Sequence, residues 1–78
     1  MTPHPDQLAA LVAIIDHGTF EAAARHLHVT TSAISQRIRA LESAAGQVLV
    51  RRATPCTATE AGAALVRLAR QTALLYDD

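Results

Sequence analysis

Apolar residues at Leu8, Leu11, Val12 and Ile15 recur at the i, i+3, i+4, i+7 spacing of one helix face. Pro5 suits a first helical turn, Asp6 is favourable at the positive end of the helix dipole, and Gly18 supplies a stop. The pattern therefore predicts a helix over 5–17. Ala10 and Ile14 fall on another side of it, a second apolar strip to be covered by the rest of the domain or by a partner helix. Thr19 reads as the N-cap of a short second helix, Phe20 to about Leu27, packing through Phe20, Ala23, Ala24 and Leu27. After an interruption at His28–Val29–Thr30, Thr30 or Thr31 caps a third helix. It buries Ile34, Ile38, Leu41 and Ala45 and stops at Gly46.

From Gln47 the period changes. Val48–Leu49–Val50 is a short apolar run, Arg51–Arg52 follows, a turn is expected around Pro55, and Cys56–Thr57–Ala58 returns as the second strand of a hairpin. Strands this short need helices to pack on. Thr59, or Thr57 with Glu60 three residues on, caps a last helix towards Tyr76. Along it Ala61, Leu65, Leu68, Thr72 and Leu75 form a stripe, with Val66, Ala69, Ala73 and Tyr76 beside it. That width exceeds what one small domain covers. Leu65, Leu68, Thr72, Leu75 and Tyr76 are therefore expected to join two copies of the chain, the alternative being burial within their own domain. The expected class is mainly α: a three-helix core with a short β-hairpin (1–58), then a long helix (59–78).

The third helix has two unlike sides. With its apolar stripe turned inward, the outward centre falls on Ser32, Gln36, Arg39 and Ser43, with Ser35 on the flank. A merely solvated face would favour Glu and Lys, which are better helix formers. Gln instead reaches adenine with two hydrogen bonds, Arg reaches guanine likewise, and Ser serves either. The base-edge candidates are Thr31, Ser32, Ser35, Gln36 and Arg39. Charge sharpens the picture. Formal net charge is zero, yet residues 25–52 hold five arginines against Glu42 alone, and every basic residue of the chain is arginine. Guanidinium groups bind phosphate through paired N–H donors. Arg51 and Arg52 are expected on DNA backbone or minor groove, with Thr19, Thr30 and Arg37 completing the phosphate set.

The spacing adds weight. Counting Phe20 as the first of twenty, Ala23 and Ala24 fall fourth and fifth, Leu27 eighth, Val29 tenth, Ile34 fifteenth and Ile38 nineteenth. That arrangement resembles the helix-turn-helix family, in which the second helix enters the major groove. Many such motifs have Gly where this chain has His28. A non-Gly residue at positive φ is strained, so a different backbone is expected at this turn.

The closer resemblance is to the amino-terminal domain of LysR-type transcriptional regulators. It is carried by Thr19-Phe20, Ala23-Ala24, Thr30-Thr31-Ser32, Ile34-Ser35, Ile38, Leu41-Glu42, Gly46 and Thr59-Glu60-Ala61-Gly62, across residues 5–78. The hairpin departs from the family's Leu-Phe-x-Arg with Leu49-Val50-Arg51-Arg52. Ser35-Gln36-Arg37-Ile38-Arg39 with Gly46-Gln47 is similar to regulators of lysine and arginine exporters, the ArgP and LysG type. The resemblance implies a winged helix-turn-helix followed by a linker helix, with the recognition helix at about Thr31–Ala45. It also implies regulation of a basic amino-acid exporter gene, a homodimer on an inverted-repeat operator, and a higher oligomer in a full-length protein. A small-molecule effector would bind a further domain that 78 residues do not contain.

Other classes fit less well. Ser32 and Ser35 lie near His28, but no carboxylate is placed to orient it and no glycine-rich phosphate loop exists, so neither an enzyme nor a cofactor is expected. A metal-responsive winged helix would need more than His26 and His28 two residues apart; HxxxH and CxxC are absent, and no metal ligand is assigned. A protein-interaction module sits poorly with clustered arginine, and two aromatics are too few to stack single-stranded nucleic acid. A lone Cys56 suits a reducing compartment, and no apolar run resembles a span or signal peptide. A soluble protein of the bacterial cytoplasm, at the nucleoid, is expected.

Overall fold

The computed structural model describes residues 3–76, with side chains through residue 71. The chain runs α1 (Pro5–His17), α2 (Phe20–Leu27), α3 (Thr31–Ala45), β1 (Val50–Arg51), β2 (Thr57–Ala58) and α4 (Glu60–Tyr76). Local chemistry sets the boundaries. The Thr19 and Thr30 hydroxyls accept from Ala22 N–H and Ala33 N–H, each at 3.0 Å. Thr59 does the same for Gly62 N–H at 3.1 Å, so Thr30 and Thr59, rather than Thr31 and Thr57, are the caps. Gly18 and Gly46 end α1 and α3 in the left-handed region. α1 carries an additional cap, in which His4 Nδ1 accepts from Asp6 N–H at 3.0 Å.

The turn between α2 and α3 corrects the sequence expectation. His28 does adopt the left-handed backbone, with φ 59° and ψ 42°. Val29 N–H donates to Ala24 O at 3.0 Å and His28 N–H to Arg25 O at 3.3 Å, which closes the exposed end of α2. Histidine is among the side chains that enter this region several-fold more often than most, so the turn keeps its usual form without glycine.

The core also recentres α1. Ala10, Leu11, Ala13 and Ile14 are its buried residues, while Val12 and Ile15 pack half-buried at the margin and Leu8 is half-buried. α1 lies against α2, α3 and α4 at once, so the strip through Ala10 and Ile14 is covered by its own domain and needs no partner helix. Ala23, Ala24, Ile34, Ile38 and Leu41 meet it from α2 and α3. Full burial of each Ile or Leu side chain among them is worth about 1.5–3 kcal/mol.

The hairpin is shorter than its apolar run. Val50 pairs with Ala58 and Arg51 with Thr57, antiparallel, while Val48 is 62% exposed. Contacts to the helices hold it: Cys56 N–H donates to Gly18 O at 2.7 Å, and Glu42 Oε2 of α3 accepts from Leu49 N–H at 2.8 Å and Val50 N–H at 3.4 Å. Glu42→Ala is expected to lower unfolding stability by about 1–3 kcal/mol, because it strands two hairpin N–H groups. Urea denaturation checks this, and Glu42→Gln, which keeps an acceptor oxygen, should recover part of the loss.

Nor is the core confined to three helices. Gly62 and Val66 of α4 are buried, Ala61 and Leu65 are half-buried against the same cluster, and Arg70 pairs with Asp16 of α1 at 2.7 Å. Packing therefore runs across the 58/59 division of roles. Beyond Val66, Leu68 is 46% exposed. The side chains of Thr72, Leu75 and Tyr76, assigned to dimerisation with Leu65 and Leu68, lie outside the described residues.

Candidate nucleic-acid interface

α3 is clamped from one side and open on the other. Ile34, Ile38 and Leu41 are fully buried, which fixes the rotation of the helix about its axis. Thr31, Ser32, Gln36, Arg39 and Ser43 are exposed on it, and Ser35 and Arg37 are half-buried. The five base-edge candidates thus sit on one rigid element, three of them at the exposed centre of its face.

A groove opens beside the first turn of α3. It is lined by Thr19, Phe20 and Glu21 from the start of α2, by Thr31 and Ser35, and by Arg52, Ala53, Thr54 and Cys56 from the hairpin. The structure therefore brings Thr19, Thr31, Ser35 and Arg52 together. Arg51 is not among them: its Nη1 donates to Ala58 O at 2.8 Å, across the hairpin to which it belongs. The Thr19 and Thr30 hydroxyls are engaged as acceptors in their caps, and each keeps an O–H donor suited to phosphate. No polar or charged residue is buried among the described residues, so the interface chemistry is all at the surface.

Two contacts escaped sequence reasoning. Arg52 Cζ stands 4.5 Å from the centroid of the Phe20 ring, and Glu42 bonds the hairpin N–H groups. Each joins residues that only the fold brings near, and the Leu41-Glu42 pair was the single hint. His26, singled out with His28, instead faces His17, with ring centroids 4.4 Å apart. Among the described residues no three His, Cys, Asp or Glu side chains gather as a metal site. No described helix is long and apolar enough to cross a membrane.

The family model for bacterial regulatory helix-turn-helix proteins of the lysR family matches residues 5–63, from α1 into the first turn of α4. The chain belongs to the LysR family. This LysR-family chain is 64% identical over 72 residues to the HTH-type transcriptional regulator LysG of Mycobacterium tuberculosis, covering 92% of itself and 24% of that protein. It is 51% identical over 72 residues to the lysine export transcriptional regulatory protein LysG of Corynebacterium glutamicum, covering 92% and 25%. The crystal structure of ArgP from Mycobacterium tuberculosis superposes with a TM-score of 0.88 at 62% identity, over 94% of this chain and 27% of that one. The CbnR_DBD–DNA complex superposes with a TM-score of 0.85 at 34% identity, over 94% and 85%. The LysR-family chain spans about a quarter of the length of the curated relatives it matches.

Proposed function

We propose that this chain binds double-stranded DNA sequence-specifically, as the DNA-binding part of a LysR-type transcription regulator and not as an enzyme. The observation that carries the reading is the two-sidedness of α3. Its apolar side is fully buried, and its exposed side offers Ser32, Gln36 and Arg39, the chemistry of base-edge recognition, on a helix that cannot turn away. α3 enters the major groove; Thr31 and Ser35 support base contacts, and Thr19, Thr30, Arg37, Arg51 and Arg52 neutralise or bond phosphate. Likeness to the CbnR_DBD–DNA complex supports this. Selection from random duplexes should enrich an inverted repeat whose half-sites lie about one helical turn, or a multiple, apart. Recovery of no consensus would overturn the reading.

Two chains pair through α4, and a full-length protein can add a higher oligomer. Support comes from the exposed Leu68 and from the apolar groove that Leu8, Ala9 and Val12 form with Ala69 of α4. Leu68→Glu should sediment as a folded monomer at tens of micromolar, where the wild type is a dimer, and should lose the avidity of paired half-sites. A wild-type monomer, or an unaltered dimer in the variant, would contradict the pairing. The regulated gene is assigned to basic amino-acid export from the name of the Corynebacterium relative. An effector acts through a domain outside these residues, and the protein works in the cytoplasm, at the nucleoid.

A further inference from the structure

We propose that Phe20 is a positioning residue for DNA binding: its ring holds the Arg52 guanidinium in the groove between hairpin and α3, poised for a backbone phosphate. The proposal rests on the DNA-binding reading above and divides the two neighbouring arginines. Arg51 closes the hairpin from within through Ala58 O. Among the described residues Arg52 makes no such bond. Its Cζ lies 4.5 Å from the Phe20 centroid, a cation–π contact that occupies no N–H donor and leaves the fork of the guanidinium for an anion. The ring is a fixed platform, because Phe20 is only 9% exposed and is the first residue of α2, directly after its Thr19 cap. A long exposed side chain loses rotamer entropy on binding; a stacked one has lost part of it beforehand. Glu21 lines the same groove, yet makes no ion pair with Arg52 among the described residues. Thr19, Thr31 and Ser35 add hydroxyl donors around the position that a phosphate would take.

A salt series of equilibrium binding to a labelled duplex of mixed sequence tests this without the operator, since phosphate contacts are sequence-independent. Phe20→Leu keeps an apolar side chain and removes the ring. It should weaken binding about two- to fivefold in the wild-type background and not at all in the Arg52→Ala background. Phe20→Tyr should restore the wild-type value. In the free wild-type protein, ring-current shifts of the Arg52 side-chain protons should report the stack directly, whether or not the leucine variant folds. Equal losses in both backgrounds, or Arg52 protons at unshifted positions, would overturn the proposal while leaving DNA binding intact. Absence of salt-sensitive binding by the wild-type chain would overturn the DNA-binding reading, and this proposal with it.

Discussion

Gly62→Ala is expected to lower the stability of the chain by about 4 kcal/mol or more. A β-carbon at this position would lie 2.9 Å from the Leu49 carbonyl carbon and 3.3 Å from its Cα, and closer still to the carbonyl oxygen. What it meets is backbone, which cannot rotate aside. Leu49 is fully buried, its N–H is held by Glu42, and its oxygen accepts from Thr59 N–H at 3.1 Å. The strain must therefore lift α4 and withdraw Val66 from the core. A domain of this size has a total stability of only about 4–12 kcal/mol, so such a loss removes a third of it or more. Helix propensity alone predicts the reverse, a gain of about 1 kcal/mol for alanine over glycine. Thermal melting by circular dichroism separates the two. A melting temperature at or above the wild type would mean that α4 stands farther from the hairpin.

Arg39→Ala and Gln36→Ala are each expected to cost about 1–3 kcal/mol on the selected DNA site and much less on a shuffled duplex. Both side chains are exposed on α3 and neither contributes to the core, so melting should be unchanged. The asymmetry between the two duplexes is the informative part. An arginine that only neutralised phosphate would lose affinity on both alike and would lower the salt slope by about one. Equal losses would move these residues from base reading to backbone contact.

How much of this was legible in the chain follows from how far each cause reaches. Helix ends depend on residues within one turn, so Thr19, Thr30, Gly18 and Gly46 announced them. The outward face of α3 was legible because Ile34, Ile38 and Leu41 fix its phase. The buried face of α1 was not, since it depends on how many neighbours the helix acquires. α1 touches three other helices and buries Ala10, Ala13 and Ile14 with Leu11, while Leu8, Val12 and Ile15 of the stripe that periodicity picks out stay half-buried. His28 misled because the rule against positive φ is a preference, and the hydrogen bonds to Ala24 and Arg25 outweigh it here. The roles of Arg51 and Arg52 were indistinguishable in sequence. They separate only when the hairpin register sets Arg51 opposite Thr57, within reach of Ala58 O, and folding brings Phe20 under Arg52.

The central claim, that the exposed face of α3 reads DNA sequence, meets its most direct test in the affinity of the wild-type chain for the selected duplex and for a shuffled duplex of equal length, across a salt series. Both affinities should fall linearly in log–log coordinates as salt rises, because counterions are released from the neutralised phosphates. The selected duplex should remain the tighter at every salt concentration. Equal affinity for the two duplexes, or binding indifferent to salt, would contradict the claim.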